Sequence, residues 1–156
     1  MGRARGAGAA ADRHCRAARR VRAAAVTVRL AGYAALFDVA DAAGDTIRKG
    51  AFTRTLADRR EPLPLFWQHR PEQQIGTVEL AEEDDKGLRV IARIDNPSSR
   101  AVSELLGKRV NGLSFGYRAR GYRRTLDGRV LEDIDLFEVS LVTQPLQPGA
   151  RVHFVA

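Results

Sequence analysis

From Val26 onward, apolar residues alternate with polar ones more often than they recur at helical spacing. "VTVRLAGYAALF" is rich in β-branched and aromatic residues and predicts a strand, bent or bulged at Gly32. "DVADAAGD" reads as a loop and "DTIRKGAF" as a short extended piece. In "AFTRTLADRR", Phe52, Leu56 and Arg59 fall on one helical face, so a short amphipathic helix is expected. Pro62 and Pro64 end it and open the extended segment "PLPLFWQH". On that pleat His69 would share a face with Leu63, Leu65 and Trp67, with "RPEQQ" following as a loop.

The clearest hairpin comes next. "QIGTVEL" and "LRVIARI" flank the acidic loop "AEEDDKG", which Gly87 closes. In "NPSSRAVSELLGKR", Ser98 or Ser99 can cap a helix whose Val102, Leu105 and Leu106 face inward. "LSFGYRARGYRR" and "RVLEDIDLFEVSLVT" then form a long strand pair turning at Leu126-Asp127-Gly128, and "QPLQPGARV" leads to a last short segment. There is no internal repeat. Six or seven strands and two short helices, without regular alternation, predict a mainly β (α+β) domain. Its expected form is an antiparallel β barrel with short helices packed outside.

Charge redraws the chain's boundaries. The net charge is +7, but residues 1–22 hold seven arginines and a single aspartate, which leaves only +1 for the rest. Residues 1–25 are therefore expected to be a basic, Ala- and Arg-rich disordered tail, and residues 26–156 the domain. Nucleic acid would find a basic partner only in that tail. One cysteine, Cys15, excludes an internal disulfide and a cysteine-based zinc site, and fits a reducing compartment. No apolar run is long enough to cross a bilayer.

Three side chains could carry chemistry together. His69 ends an apolar strand beside the single tryptophan, where an imidazole is partly desolvated and positioned as a general base. A surface histidine at a strand end fits the same residues. Ser114 alternates with Leu113 and Phe115 and so faces away from them, with Gly116 on its own face leaving room for a substrate backbone. An ordinary strand serine fits as well. Glu138 is embedded between Phe137 and Val139, where a carboxylate must be paired or hydrogen-bonded. An edge residue reaching water is the alternative, with Ser140 a neighbour on the same face. Asp135 is expected on the opposite face. By role, the three are a nucleophile, a base and an orienting acid, the set a serine hydrolase needs.

The order of motifs adds to this. "GYAALFD", "DTIRKGAF", "LPLFWQHRPEQQIGTV", "VNGLSFGY" and "LFEVSLVTQPLQPGARV" resemble, over about residues 30–152, the prohead serine proteases of tailed phages, including those of gene transfer agents. The resemblance implies a fold similar to the herpesvirus assembly proteases. It implies an endopeptidase with His69 as base, Ser114 as nucleophile and Glu138 as third member, and makes Arg151 an oxyanion candidate. Implied substrates are the major capsid protein, a scaffold segment and the protease itself. No cofactor or metal is implied. The place of action would be the bacterial cytoplasm, inside the assembling procapsid, with self-association possible and no membrane involved. A non-catalytic capsid-assembly module on the same fold is the competing expectation.

Overall fold

The structure, a computed structural model, describes residues 26–156, so the expectations for the tail at residues 1–25 lie outside the described residues. The described residues form eight strands and two short helices. The strands are β1 (Val28–Leu36), β2 (Asp45–Ile47), β3 (Pro64–Trp67), β4 (Arg70–Glu83), β5 (Gly87–Ile94), β6 (Gly112–Thr125), β7 (Gly128–Val142) and β8 (Val152–Val155). The helices are α1 (Thr53–Ala57) and α2 (Arg100–Leu106).

The sheet runs β2-β7-β3-β4-β5-β1-β8, with β6 on the other side of β7. Its two ends approach each other. Leu113 N–H donates to the Ala150 carbonyl at 2.8 Å, Val152 N–H donates to the Asn111 carbonyl at 2.8 Å, and Tyr33 N–H donates to the Arg151 carbonyl at 3.1 Å. The short segment before β8 thus stitches β6 to β1, and the sheet curls into a barrel. At Gly32 a side chain is impossible for this reason: a Cβ there would lie 2.1 Å from the Arg151 carbonyl oxygen. The expected bend at Gly32 is a close approach of two backbones, with a register shift between Ala31 and Gly32 against β8.

Most pairs are antiparallel, but β2 and β3 each run parallel to β7. Between these two partners α1 covers the edge of β7. Ile134 N–H donates to the Ala51 carbonyl at 3.0 Å and Leu136 N–H donates to Thr55 Oγ1 at 3.1 Å. The Leu136 carbonyl accepts from Arg59. Phe52, fully buried, precedes α1 and packs edge-on against Phe115 at 5.4 Å between ring centres. Burying such a side chain is worth about 1.5–3 kcal/mol. Most of the rest of the core comes from strand positions, among them Leu30, Leu65, Val90, Ile94, Leu113, Val139 and Leu141.

Of the two expected caps, Ser99 is the one that caps α2, its hydroxyl accepting from Val102 N–H at 3.4 Å. Three local expectations change. Leu106 is exposed rather than inward, because α2 ends there and only Ala101, Val102 and Leu105 reach the core. "RPEQQ" is not a loop: β4 starts at Arg70, directly after a two-residue turn. Most of "AEEDDKG" is strand too, since β4 runs to Glu83 and β5 starts at Gly87.

Candidate active site

The site is built on β7. On its distal part Leu131, Ile134 and Leu136 are buried, and on its last part Val139 and Leu141 are. The parity changes between Leu136 and Val139 because of a β-bulge. Gly116 pairs with Glu138 and Tyr117 with Leu136, so Phe137 is an extra residue on β7. A regular pleat would have carried Glu138 inward with Leu136. The bulge turns Glu138 and Ser140 away from the core instead. Asp135 is on that same outer face, so the expectation that it opposes Glu138 is corrected: period-2 counting fails across an inserted residue.

On the facing strand, Ser114 is directly opposite Ser140 and Gly116 directly opposite Glu138. Paired residues project to the same side of a sheet. Ser114, Gly116, Glu138 and Ser140 therefore form one patch. Gly116 was expected to leave room for substrate, but that space holds the Glu138 carboxylate. A Cβ on Gly116 would lie 2.7 Å from Glu138 Oε1 and 2.9 Å from its Cγ.

His69 reaches the patch from the turn between β3 and β4. Trp67 pairs with Arg70, and the two residues between them, Gln68 and His69, have φ of 53° and 58°. A two-residue hairpin with positive φ at both centres is the type I′ arrangement, which usually recruits Asn-Gly. For residues with a Cβ this conformation costs roughly 1–2 kcal/mol each. Hydrogen bonds to β7 and the residue after it offset the cost. Gln68 N–H donates to the Leu141 carbonyl at 3.0 Å, His69 N–H donates to Ser140 Oγ at 3.2 Å, and Thr143 N–H donates to Gln68 Oε1 at 3.2 Å. His69 is thus in a turn and does not share the pleated face of Leu63 and Leu65.

The His69 ring points at the acid. Nδ1 is 2.6 Å from Glu138 Oε1, and Ser140 Oγ donates to Glu138 Oε2 at 2.6 Å. With the carboxylate ionised, Nδ1 carries the ring proton and Nε2 keeps its lone pair. Exposure follows the same layering. The His69 side chain is 45% exposed and that of Glu138 10%, while Ser140 is fully buried. Among the described residues no arginine or lysine bonds to Glu138; its partners are an imidazole and a hydroxyl. Ser114 is 5% exposed and makes no side-chain hydrogen bond among the described residues. Two of the three expected residues are thus in direct contact, and the third is across one strand pair without a bond to either.

Arg151 is opposite Gly112, two residues from Ser114 along β6 and on its face. Its guanidinium is held by donation from Nε to the Pro148 carbonyl and from Nη1 to Asn111 Oδ1, both at 2.6 Å. Buried Gln147 anchors the same loop. Its amide donates to the carbonyls of Leu36 and Val39, and its Oε1 accepts from Leu36 N–H. Sequence reasoning missed Gln147 and treated Ser140 as a neighbour; nothing local distinguishes either from a surface residue. Among the described residues, no three His, Cys, Asp or Glu side chains converge as metal ligands would, and no helix is long and apolar enough to cross a membrane.

A strand-rich barrel with an acid–histidine pair beside a strand serine defines a class that the comparisons make specific. The model of the caudovirus prohead serine protease family matches residues 16–156, and the chain belongs to that family. The prohead protease of Enterobacteria phage HK97 is 30% identical over 129 residues, 78% of this chain and 57% of that protein, so the chain spans little more than half of that relative. The protease of Kaposi's sarcoma-associated herpesvirus, solved with a hexapeptide phosphonate inhibitor, has the same fold. Its TM-score is 0.58 at 15% identity, over 84% of this chain and 65% of that one. The capsid assembly protease of bacteriophage T4 matches with a TM-score of 0.57 at 13% identity, over 73% of this chain and 80% of its own.

Proposed function

We propose that this chain is a serine endopeptidase of procapsid maturation, with Ser114 as nucleophile, His69 as general base and Glu138 as the orienting acid. One observation carries the reading: the 2.6 Å bond from His69 Nδ1 to Glu138, on the face where Ser114 stands across from Ser140. His69 Nε2 takes the Ser114 proton as Oγ attacks the scissile carbonyl. The imidazolium, stabilised by Glu138, returns that proton to the leaving amine. Water then hydrolyses the acyl-enzyme by the same route. The negative oxygen of the tetrahedral intermediate needs donors aimed at it. Arg151, anchored on the nucleophile's face, and backbone N–H groups of its loop are the candidates. Substrates are the major capsid protein, its scaffold segment and the protease itself, inside the procapsid. The names of the HK97 and T4 relatives support this choice.

The test is co-expression of the full chain with its capsid protein, read by intact mass of the capsid subunit. Ser114→Ala abolishes processing, since loss of such a nucleophile costs on the order of 10⁶ in turnover, and leaves the circular dichroism unchanged. A fluorophosphonate labels the parent chain once and the variant not at all. Processing that survives Ser114→Ala removes the nucleophile assignment. An unlabelled, non-processing parent chain marks a non-catalytic assembly module.

A further inference from the structure

We propose that Ser140 is a positioning residue of this site, locking Glu138 and His69 to one another through a single hydroxyl. The inference rests on the catalytic reading above and deepens it.

Ser140 is fully buried. A hydroxyl has one hydrogen to donate and two lone pairs to accept with. Here the hydrogen goes to Glu138 Oε2 at 2.6 Å, and one lone pair takes the backbone N–H of His69 at 3.2 Å. The first bond addresses the acid. The terminal torsion of a glutamate has a broad profile, so one hydrogen bond from an imidazole leaves the carboxylate free to swivel. With Oε2 held by Ser140, Oε1 stays on His69 Nδ1. The second bond addresses the base. It ties the left-handed turn of His69 to β7, the strand that carries the acid. The same oxygen therefore fixes the two partners against each other. Ser140 is also the cross-strand partner of Ser114, so the three groups share one reference point on the sheet. Ser140 touches no reacting atom in this scheme, and its effect passes through Glu138 and His69.

A double-mutant cycle separates this role from plain structural support. The readout is the rate constant for labelling of Ser114 by a fluorophosphonate in the full-length protein, followed by intact mass. Ser140→Ala slows labelling on the order of 10-fold or more in the parent background, because residues sharing one hydrogen-bond network couple strongly. In a Glu138→Ala background the same change slows it less, by about two- to threefold, since only the bond to the His69 backbone remains to be lost. Equal slowing in both backgrounds, as a merely structural serine produces, overturns the proposal. So does undiminished labelling by Ser140→Ala alone when Glu138→Ala is damaging, an outcome that leaves the catalytic assignments standing. A harmless Glu138→Ala instead removes the third-member assignment and this inference with it. Ser140→Cys keeps the volume and exchanges the hydroxyl for a weak donor. It carries the same cycle, with the same expected and opposing results, if circular dichroism finds the alanine variant unfolded.

Discussion

Two carboxylates three residues apart on β7 share a face and have different fates. Asp135, before the bulge, lies between Arg54 and Arg120, with Asp133 sharing Arg54. Its side chain is 16% exposed, and its arginine partners cross-link α1, β6 and β7. Glu138, after the bulge, has an imidazole and a buried hydroxyl as partners. A guanidinium is permanently charged, so it holds a carboxylate in one state. An imidazole can gain and lose a proton near neutral pH, so its partner can stabilise a charge that comes and goes. The residue type is nearly the same; the neighbours decide whether the acid faces a fixed charge or a titratable ring.

The contrast can be broken most strongly at Glu138. Glu138→Gln keeps a hydrogen bond to the ring and loses the charge. The expected loss is roughly 10- to 10³-fold in peptide cleavage, below the factor of about 10⁴ known for the corresponding acid-to-amide change in a serine protease. Asp135→Asn, assayed beside it, changes the rate by less than about twofold, because it weakens ion pairs to Arg54 and Arg120 and leaves the His69–Glu138 pair in place. If Asp135→Asn were damaging and Glu138→Gln harmless, the acids would have exchanged roles.

Gly116→Ala sharpens the comparison without replacing either acid. The added methyl meets the Glu138 carboxylate, a flexible end that can give way. Rate is expected to fall about tenfold as the carboxylate leaves His69, within the range of coupled network residues, while the urea midpoint stays nearly unchanged. A lost fold with no separable rate effect would mean that Glu138 cannot move.

The smallest effect lies in acid stability. Arg54 and then Arg120 hold the Asp135 carboxyl below its ordinary range, against the opposing pull of desolvation. A depressed folded pKa contributes stability above the unfolded value, about pH 3.9, and loses it as the pH falls through the lower folded value. Urea midpoints measured from pH 6 down to pH 2 should decline less steeply in Asp135→Asn than in the parent. An identical slope would assign no part of the acid sensitivity to this pair.

Composition and alternation alone determined much of this protein. The β-rich fold, the acidic hairpin, the two helices and the strand carrying Ser114 all follow from local rules, because burial on one face of a strand writes itself as period two. The candidate residues His69, Ser114 and Glu138 were likewise named from the sequence, helped by the order of motifs. Tertiary structure decided how they relate. The bulge at Phe137 leaves no mark on the pattern, since an extra residue is visible only against its partner strand. The left-handed turn at Gln68 and His69 has none of the glycine or asparagine that signals such a turn; hydrogen bonds to β7 and Thr143, distant in sequence, hold it. The hydroxyl of Ser140 and the amide of Gln147 look like any polar side chains until the chain closes around them. Their roles depend on contacts 71 and 111 positions away, which no local pattern encodes.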